Sequence, residues 1–301
     1  IGKVTNSGVE IELDYNAFKN KDWSVSVGAN ATFVKNKIKN LPATMKENGY
    51  ISGSKKWLEG KSIYEFWLRQ WHGVDPQTGD GLYVADVSKY NQGNIGTGDG
   101  NITQSQFDEY KKTVVTIDGK ELTNSYTYAK YDFSGSSIPD VFGGFNVRVS
   151  YKNFDLAAVF SYQLGGQVLD TNYATMMSMT EFGYAQSPDL LKAWKQAGDI
   201  TEVPRIDNSA AHTTNIGQSY STRWLTSSDY LNLRSVTIGY QFPKAWLSKV
   251  MLKSARLNLT AENLFMLKAR QGLNPMANYS GVTYNEYMPS RNITLGLNVS
   301  F

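Results

Sequence analysis

The last eleven residues, Arg291-Asn-Ile-Thr-Leu-Gly-Leu-Asn-Val-Ser-Phe301, decide how the rest of the chain is interpreted. Every second residue from Ile293 to Val299 is apolar, and the residues between them are Thr, Gly and Asn. Successive side chains of a strand point to opposite faces, so one face meets an apolar environment and the other meets water. A soluble sheet and a membrane barrel both fit this pattern, and the rest of the chain must decide between them.

The same alternation recurs along the chain and predicts further strands. They cover 8–18, 23–33, 145–151, 154–164, 230–242 and 255–263, and the short turns between several of them favour antiparallel pairing. The phase of the alternation changes near Arg234 and Ser235, which predicts a bulge. Two less regular strands, within Ser62–Trp71 and within 81–87 or 124–132, would bring the total to about nine.

The predicted connections fall into two length classes. Short ones are expected at 19–22, 152–153 and 243–253, and long ones at 38–61, 88–123, 165–229 and 266–290. Short turns at one end and long loops at the other are typical of antiparallel outer-membrane barrels. Nine is odd, whereas single-chain bacterial barrels are almost always even. A nine-stranded sheet would also leave two unpaired edges in lipid, which is not viable. We therefore expect residues 1–301 to be the carboxy-terminal part of a larger barrel.

Composition supports a membrane barrel and disfavours several other classes. No apolar run approaches the roughly 20 residues of a membrane helix, while the aromatic content of 13% suits rings at membrane interfaces. The chain has no Cys and only two His, so no metal site and no Cys nucleophile is predicted. The net charge of +3 is spread along the chain and does not favour nucleic acid. The start at Ile1 shows no initiator Met or signal peptide, so we expect processing or an internal start.

Several motifs, in order along the chain, resemble the SusC-like TonB-dependent outer-membrane transporters. They are Asn6-Ser-Gly-Val-Glu-Ile-Glu-Leu13, the hairpin Gly73–Tyr83, Pro139-Asp-Val-Phe-Gly-Gly-Phe145 with Ser150–Leu156, the strand Tyr230–Pro243, and Ala261-Glu-Asn-Leu-Phe265. The resemblance implies a 22-stranded barrel with an amino-terminal plug, located in the outer membrane of Bacteroidota. It also implies a SusD-like surface lipoprotein as a lid, and energy from the proton-motive force through the TonB complex. The plug, the TonB box and the upstream strands are expected outside this chain.

The candidate ligand-binding residues are aromatic or cationic. Arg223 and Trp224 combine a hydrogen-bonding fork with a stacking surface, and Trp71 and Trp194 are further aromatic candidates. A structural role in the protein is the alternative for each Trp. Phe301 resembles the terminal aromatic that the barrel-assembly machinery recognises, although it could equally be a simple lipid-facing residue.

The longest connection, 165–229, is expected to be functional rather than disordered. Its apolar residues predict that it packs on the partner lipoprotein or folds over the barrel mouth: Tyr173, Met176, Met177, Met179, Phe182, Tyr184 and Trp194. Within it, Pro188–Gly198 follows a possible N-cap, Ser187, and predicts a short helix.

We expect import of an oligosaccharide, without catalytic residues and without a cofactor. Glu10, Glu12 and Asp14 form a carboxylate row that could serve acid–base chemistry, but a solvated lumen wall explains them better. A peptide importer of the same family is the first alternative. A barrel with an adhesive or enzymatic role and a soluble β-sandwich are the others.

Overall fold

The computed structural model describes residues 2–178, 183, 185–277, 279–284 and 286–301. The described strands are β1 Lys3–Lys19, β2 Trp23–Asn40, β3 Tyr50–Ser52, β4 Lys55–Trp57, β5 Glu65–Arg69, β6 Trp71–Val74, β7 Gly81–Val84, β8 Val114–Ile117, β9 Lys120–Thr123, β10 Tyr131–Ser136, β11 Val141–Tyr151, β12 Phe154–Leu164, β13 Gln167–Leu169, β14 Leu225–Ser227, β15 Tyr230–Gln241, β16 Ser254–Lys268 and β17 Asn292–Ser300. The described α-helices are α1 Gln104–Thr113, α2 Thr171–Met176, α3 Ala210–Ile216 and α4 Lys244–Leu247. None of these helices has the length and apolar character needed to cross a membrane.

Seven long strands form one antiparallel sheet, which we call the main sheet. Its order is β1-β2-β11-β12-β15-β16-β17, so the strands follow the order of the chain. The expectation of nine strands is wrong, because the less regular segments do form strands but place them in separate small sheets. Strand β5 pairs with β10, and β6 pairs with β7. These segments lack a sustained two-residue alternation, so they cannot present one apolar and one polar face as the long strands do.

The short connections lie together at one end of the main sheet, which we call the turn end. They are 20–22, 152–153 and 242–253, while the connections at the opposite loop end are 41–140, 165–229 and 269–291. The predicted loops 38–61 and 88–123 are therefore parts of a single long connection. The sheet has two strands fewer than predicted, and losing two strands does not change the end at which each remaining connection lies. The predicted separation of short turns from long loops therefore holds with seven strands.

One face of the main sheet is apolar across all its strands. At mid-height, Cα pairing joins Val27, Val147, Ala158, Val236, Ala261 and Ile293 into one row. At the turn end, the corresponding row is aromatic and contains Trp23, Tyr151, Phe154 and Tyr240. The rings of Trp23 and Tyr151 lie 4.4 Å apart, and those of Phe154 and Tyr240 lie 4.5 Å apart. The apolar face of β2, β11, β12 and β15 thus carries a row of rings at the turn end, and Leu257 and Leu297 continue this row on β16 and β17.

The other face of the main sheet is polar. Asp155 accepts a hydrogen bond from the Arg256 guanidinium at 2.7 Å, over the backbone of Gly239. A Cβ atom at Gly239 would come within 2.2 Å of the Arg256 guanidinium, so a larger residue there would displace this ion pair. The hydroxyls of Thr237 and Thr260 are 3.0 Å apart on the same face. Glu10, Glu12 and Asp14 project to this side of β1, as the alternation requires.

The predicted bulge is present in β15. Val159 pairs with Ser235 and Phe160 with Leu233, which leaves Arg234 as the extra residue. The neighbouring strand β16 is irregular at the same height. Its residue Asn263 has a φ of 51°, which lies in the left-handed region that Asn tolerates better than most residues. Its side-chain amide donates to the carbonyl of Ser290 at 3.0 Å. The motif Ala261–Phe265, which was quoted above for its resemblance to a transporter family, therefore lies where the two-residue alternation of β16 changes phase.

The long connections at the loop end share a hydrophobic core. Phe66 and Leu68 of β5 pack with residues of the 165–229 connection and with Val282: Leu169, Ala174, Met177, Leu190, Ala193, Val203 and Trp224. The predicted helix after Ser187 is a 3₁₀ helix, Pro188–Lys192, and is shorter than expected. Ser187 caps it as predicted, with its side chain accepting from Asp189 N. Three of the apolar residues expected to define this connection, Met179, Phe182 and Tyr184, lie outside the described residues.

Candidate functional site

A pocket lies at the loop end of the polar face. Phe142, Gln163 and Tyr230 are neighbours there, because Phe142 pairs with Gln163 and Gln163 pairs with Tyr230. Together with loop residues they enclose a cavity of about 220 Å³. The loop residues that contribute polar groups or rings are Ser137, Gln167, Ser228 and Tyr279. We call this cavity the polar-face pocket.

The polar-face pocket is uncharged. All the described residues that line it are neutral, and they combine three aromatic rings with amide and hydroxyl groups. The side-chain nitrogen of Gln163 donates to the Ser228 hydroxyl at 2.8 Å. The amide oxygen of Gln167 is buried and accepts no hydrogen bond from a described residue. A buried acceptor without a donor is costly, so this oxygen lowers the stability of the pocket wall.

A buried lysine supports one wall of the pocket. The Lys55 ammonium donates to the carbonyl of Tyr64 at 2.8 Å and to the hydroxyl of Ser137 at 3.3 Å. It also lies 3.1 Å from the centroid of the Phe66 ring. Burial lowers the pKa of Lys55 to about 7, while the nearby Glu65 carboxylate opposes this change. Lys55 therefore connects the small sheet of β3, β4, β5 and β10 to the pocket residue Ser137.

Arg223 lies between two indole rings. Its guanidinium carbon is 4.7 Å from the ring centroid of Trp71 and 4.3 Å from that of Trp224. Among the described residues it donates one hydrogen bond, to the carbonyl of Ile216 at 3.1 Å. Burial lowers the pKa of Arg223 to about 10. A guanidinium has five N–H donors, so this cluster retains donors that a ligand could use.

The structure brings three of the four candidate ligand residues together. Trp224 is only 3% exposed and donates from its indole nitrogen to the carbonyl of Gln218 at 2.9 Å. In this conformation its ring is part of the loop-end core, which is the structural alternative for this residue. Trp194 lies apart from the cluster, with its indole nitrogen 3.0 Å from the carbonyl of Pro76. Ligand contact by Arg223, Trp71, Trp194 or Trp224 stays a prediction.

Two long connections are joined at Asp170. This residue is 4% exposed, caps α2 through Tyr173 N at 3.0 Å, and accepts from the Thr283 hydroxyl at 3.1 Å. Arg270 forms an ion pair with the same carboxylate and places its guanidinium 3.6 Å from the Tyr173 ring centroid. Tyr173 in turn meets Trp224 edge-on, with the centroids 5.8 Å apart. Asp170 thereby holds in place the aromatic residues next to Arg223.

The sequence reasoning missed most of the polar-face pocket. Phe142, Gln163 and Tyr230 lie at the ends of predicted strands, and strand parity could have placed all three on the polar face. Gln167 and Tyr279 lie in long connections, and no local sequence pattern predicts where such connections fold. Phe301 is 81% exposed at the turn end, and its role in assembly stays a prediction.

The chain is similar over its whole length to curated TonB-dependent receptors. It is 26% identical to TonB-dependent receptor P3 of Formosa agariphila and 23% identical to TonB-dependent receptor SusC of Bacteroides thetaiotaomicron. It spans 29% and 27% of those proteins, respectively. No family model matches the chain.

Solved structures share the fold. All of this chain superposes on 30% of a chain in the RagAB peptide transporter, with a TM-score of 0.75 and 23% identity. The RagAB peptide importer in its closed-closed state gives a TM-score of 0.76 at 24% identity, again over 30% of that chain. The predicted resemblance to the SusC-like TonB-dependent transporters is confirmed, as are the antiparallel barrel fold and the outer-membrane location. The apolar face of the main sheet therefore faces lipid, and the polar face lines the lumen.

We expect Lys55 to make stability depend on pH. Its pKa is lowered in the folded protein from 10.5 to about 7, so between these values the unfolded chain binds more protons and stability rises with pH. Each pKa unit corresponds to at most about 1.4 kcal/mol in the free energy of unfolding. Lys55→Met should remove this rise in the thermal unfolding midpoint of the full-length protein in detergent.

Lys56→Met is the matched control for this experiment, since Lys56 is adjacent and its ammonium lies over the Trp67 ring at 4.1 Å. The control should retain the pH dependence of the wild type. Parallel curves for the wild type and Lys55→Met across this pH range would contradict the assignment.

Proposed function

We propose that this chain is the carboxy-terminal barrel region of a TonB-dependent importer of oligosaccharides. The observation that carries the substrate class is the polar-face pocket, which combines aromatic rings with neutral hydrogen-bonding groups and lies at the entrance to the lumen. The faces of sugar rings pack on aromatic side chains, and their hydroxyls bond to amides and hydroxyls. The pocket provides both kinds of contact without a charge that a neutral sugar would leave unpaired.

The complete transporter would need parts beyond this chain. Strands β1 and β17 each pair on one side only among the described residues. Because strand edges cannot stay unpaired in lipid, we propose that these two strands pair with further strands of a larger barrel. A plug and a contact with the TonB complex would belong to the same longer protein. Import would use the proton-motive force and would involve no covalent chemistry and no cofactor.

Arg223 favours a second candidate substrate, a peptide. A guanidinium can bind a carboxylate through two parallel hydrogen bonds, and Arg223 has donors that no described residue uses. The structural neighbours are named as a peptide transporter and a peptide importer, at 23% and 24% identity. The neutral polar-face pocket favours the oligosaccharide over the peptide, because it offers no partner for charged peptide termini.

We also propose a partner on the outer surface, a SusD-like lipoprotein that acts as a lid. The connection 165–229 buries part of its apolar surface in the loop-end core. Other apolar side chains of this connection stay uncovered, with Leu191 79%, Ile200 96% and Ile206 66% exposed. Leu191 and Ile200 line the same surface depression, and uncovered apolar side chains that lie together are typical of a surface that binds another protein.

The pocket can be tested by changing two of its residues in the full-length protein. Gln167→Ala with Tyr279→Ala should lower glycan uptake by at least about tenfold, because the change removes an amide side chain and an aromatic ring from the pocket wall, and a lost ring contact alone contributes about 1 kcal/mol. The measurement is growth and uptake on a panel of oligosaccharides in a strain that lacks the native protein. Tyr287→Ala is the control, since Tyr287 is 96% exposed in the same connection and does not line the pocket. Equal uptake by the wild type and the double variant would exclude the pocket from the substrate path.

Arg223 is tested separately, because it distinguishes the two substrate classes. Arg223→Ala should reduce uptake about tenfold or more if a charged ligand uses its free donors, while the amount of barrel in the outer membrane stays normal. Loss of peptide uptake with normal glycan uptake would support the peptide importer. Normal uptake of both would remove Arg223 from the candidate site.

The lid surface predicts a specific loss of complex. Leu191→Ser, Ile200→Ser and Ile206→Ser together should lower the amount of co-purified lipoprotein by at least about tenfold, since each apolar side chain contributes about 1.5–3 kcal/mol when fully buried. Val250→Ser with Met251→Ser makes similar changes at the turn end and should have no effect. Detergent purification followed by mass spectrometry gives the stoichiometry. An unchanged lipoprotein ratio in the triple variant would contradict the proposed contact.

A further inference from the structure

The lipid-facing side of β2 changes character at its loop end. From Trp23 to Phe33 every second residue of β2 lies on the apolar face, and the same parity then continues through Lys35 and Lys37. Their partners on β1, Ser7 and Thr5, are small and polar. The lysines therefore project from the outside of the barrel wall and not into the lumen.

The height of these lysines matches the surface of a membrane. Trp23 lies in the aromatic row at the turn end, and Phe33 is ten residues further along the same strand. Ten residues at about 3.3 Å each span about 33 Å along the strand. A tilt of about 40° reduces this to about 25 Å, which is the typical height of the lipid-facing band of such barrels. Lys35 and Lys37 then stand at the level of the lipid headgroups in the outer leaflet.

A cleft lies beside the lysines at this height. It has a volume of about 770 Å³ and is lined by apolar side chains that include Val9, Phe33 and Ile138. Lys35, Lys37 and Lys61 also line it. The cleft forms where the upper part of β2 separates from β11, since their pairing ends at Thr32 and Phe142. It therefore offers apolar walls for an acyl chain and ammonium groups for an anion.

The charge in the cleft is not neutralised by salt bridges. Among the described residues, none of Lys35, Lys37 and Lys61 lies within 4.0 Å of a carboxylate oxygen. Two carboxylates, Glu65 and Asp140, also line the cleft, which leaves an excess of positive charge. The Lys61 ammonium also lies 4.6 Å from the centroid of the Phe133 ring. Lys35 and Lys37 have no partner carboxylate among the described residues, so an external anion is the partner that complements these two lysines of β2.

We propose that this cleft binds a membrane lipid with a phosphorylated headgroup from the outer leaflet. The phosphate would contact Lys35, Lys37 and Lys61, and an acyl chain would lie against Val9 and Phe33. This site is on the opposite side of the barrel wall from the substrate path. It fixes the height of the transporter in the membrane, and it is independent of the oligosaccharide proposal.

Lipid binding to the full-length protein tests this assignment. The detergent-purified protein is titrated with dioleoyl phosphatidic acid and with dioleoylglycerol, and the bound lipids are counted by native mass spectrometry. Wild type should bind phosphatidic acid at least about tenfold more tightly than dioleoylglycerol, because only phosphatidic acid carries a negative charge that complements the lysines. Lys35→Gln, Lys37→Gln and Lys61→Gln together should abolish this preference. The lipids that co-purify from the native membrane should include a phosphorylated class that the triple variant lacks.

Three controls distinguish a lipid site from a general effect of surface charge, from misfolding and from binding of a free anion. The control for surface charge removes three exposed lysines of the first long connection, through Lys111→Gln, Lys112→Gln and Lys120→Gln. This variant should bind lipid as the wild type does. Replacing Lys35, Lys37 and Lys61 by Arg keeps the charge and should keep the preference, and heat-dependent gel mobility shows that each barrel is folded. An excess of inorganic phosphate should not displace the lipid.

The proposal is overturned by any of three results. These are equal binding of the two lipids by wild type, an unchanged preference in the Gln variant, or full displacement by inorganic phosphate. The first two would mean that the lysines are only a solvated rim. The third would mean that the cleft is a site for free anions.

Discussion

Every backbone amide of the main sheet must find a partner in a neighbouring strand, because lipid offers no alternative hydrogen bond on the apolar side. This constraint explains why the strands follow one another in sequence order and why they are long. Consecutive antiparallel strands pair at the lowest cost when the turn between them is short, as at Lys152 and Asn153. It also makes the edges of β1 and β17 the least stable positions of the sheet, so their pairing determines whether the barrel closes.

The connections at the loop end follow a different physical rule. They are in water, and they fold because their apolar side chains collect in a common core around Phe66, Leu68 and Trp224. A buried carboxylate, Asp170, joins two of these connections through a helix cap and an ion pair. Removing one partner of such a pair leaves a buried charge without compensation, which is costly. The packing that stabilises the loops therefore also fixes the surroundings of Arg223.

The sequence predicts the main sheet well, because strand alternation is a local signal. Even the phase change at Arg234 was visible, since a bulge leaves its mark within a few residues. Pairing between segments that are far apart in the sequence leaves no such local signal. Glu65–Arg69 has the residue types of a barrel strand but pairs with Tyr131–Ser136 in a separate small sheet. Trp224 illustrates the same limit, because an indole in a loop is equally suited to a ligand and to a core. Tertiary packing determines how far such a ring is buried, and Trp224 is only 3% exposed.

Strand register connects the two proposed sites. Phe142 and Gln163 project into the lumen, while Phe33 and Lys35, at the same end of the barrel wall, project outwards. A slip of one residue would exchange the two sets, placing ammonium groups in the substrate path and amides against lipid. The apolar rows below make such a slip costly, because each of them would turn into the lumen. The lipid-facing pattern of β2 and β11 therefore does more than hold the barrel in the membrane. It determines which chemistry meets the ligand and which meets the lipid.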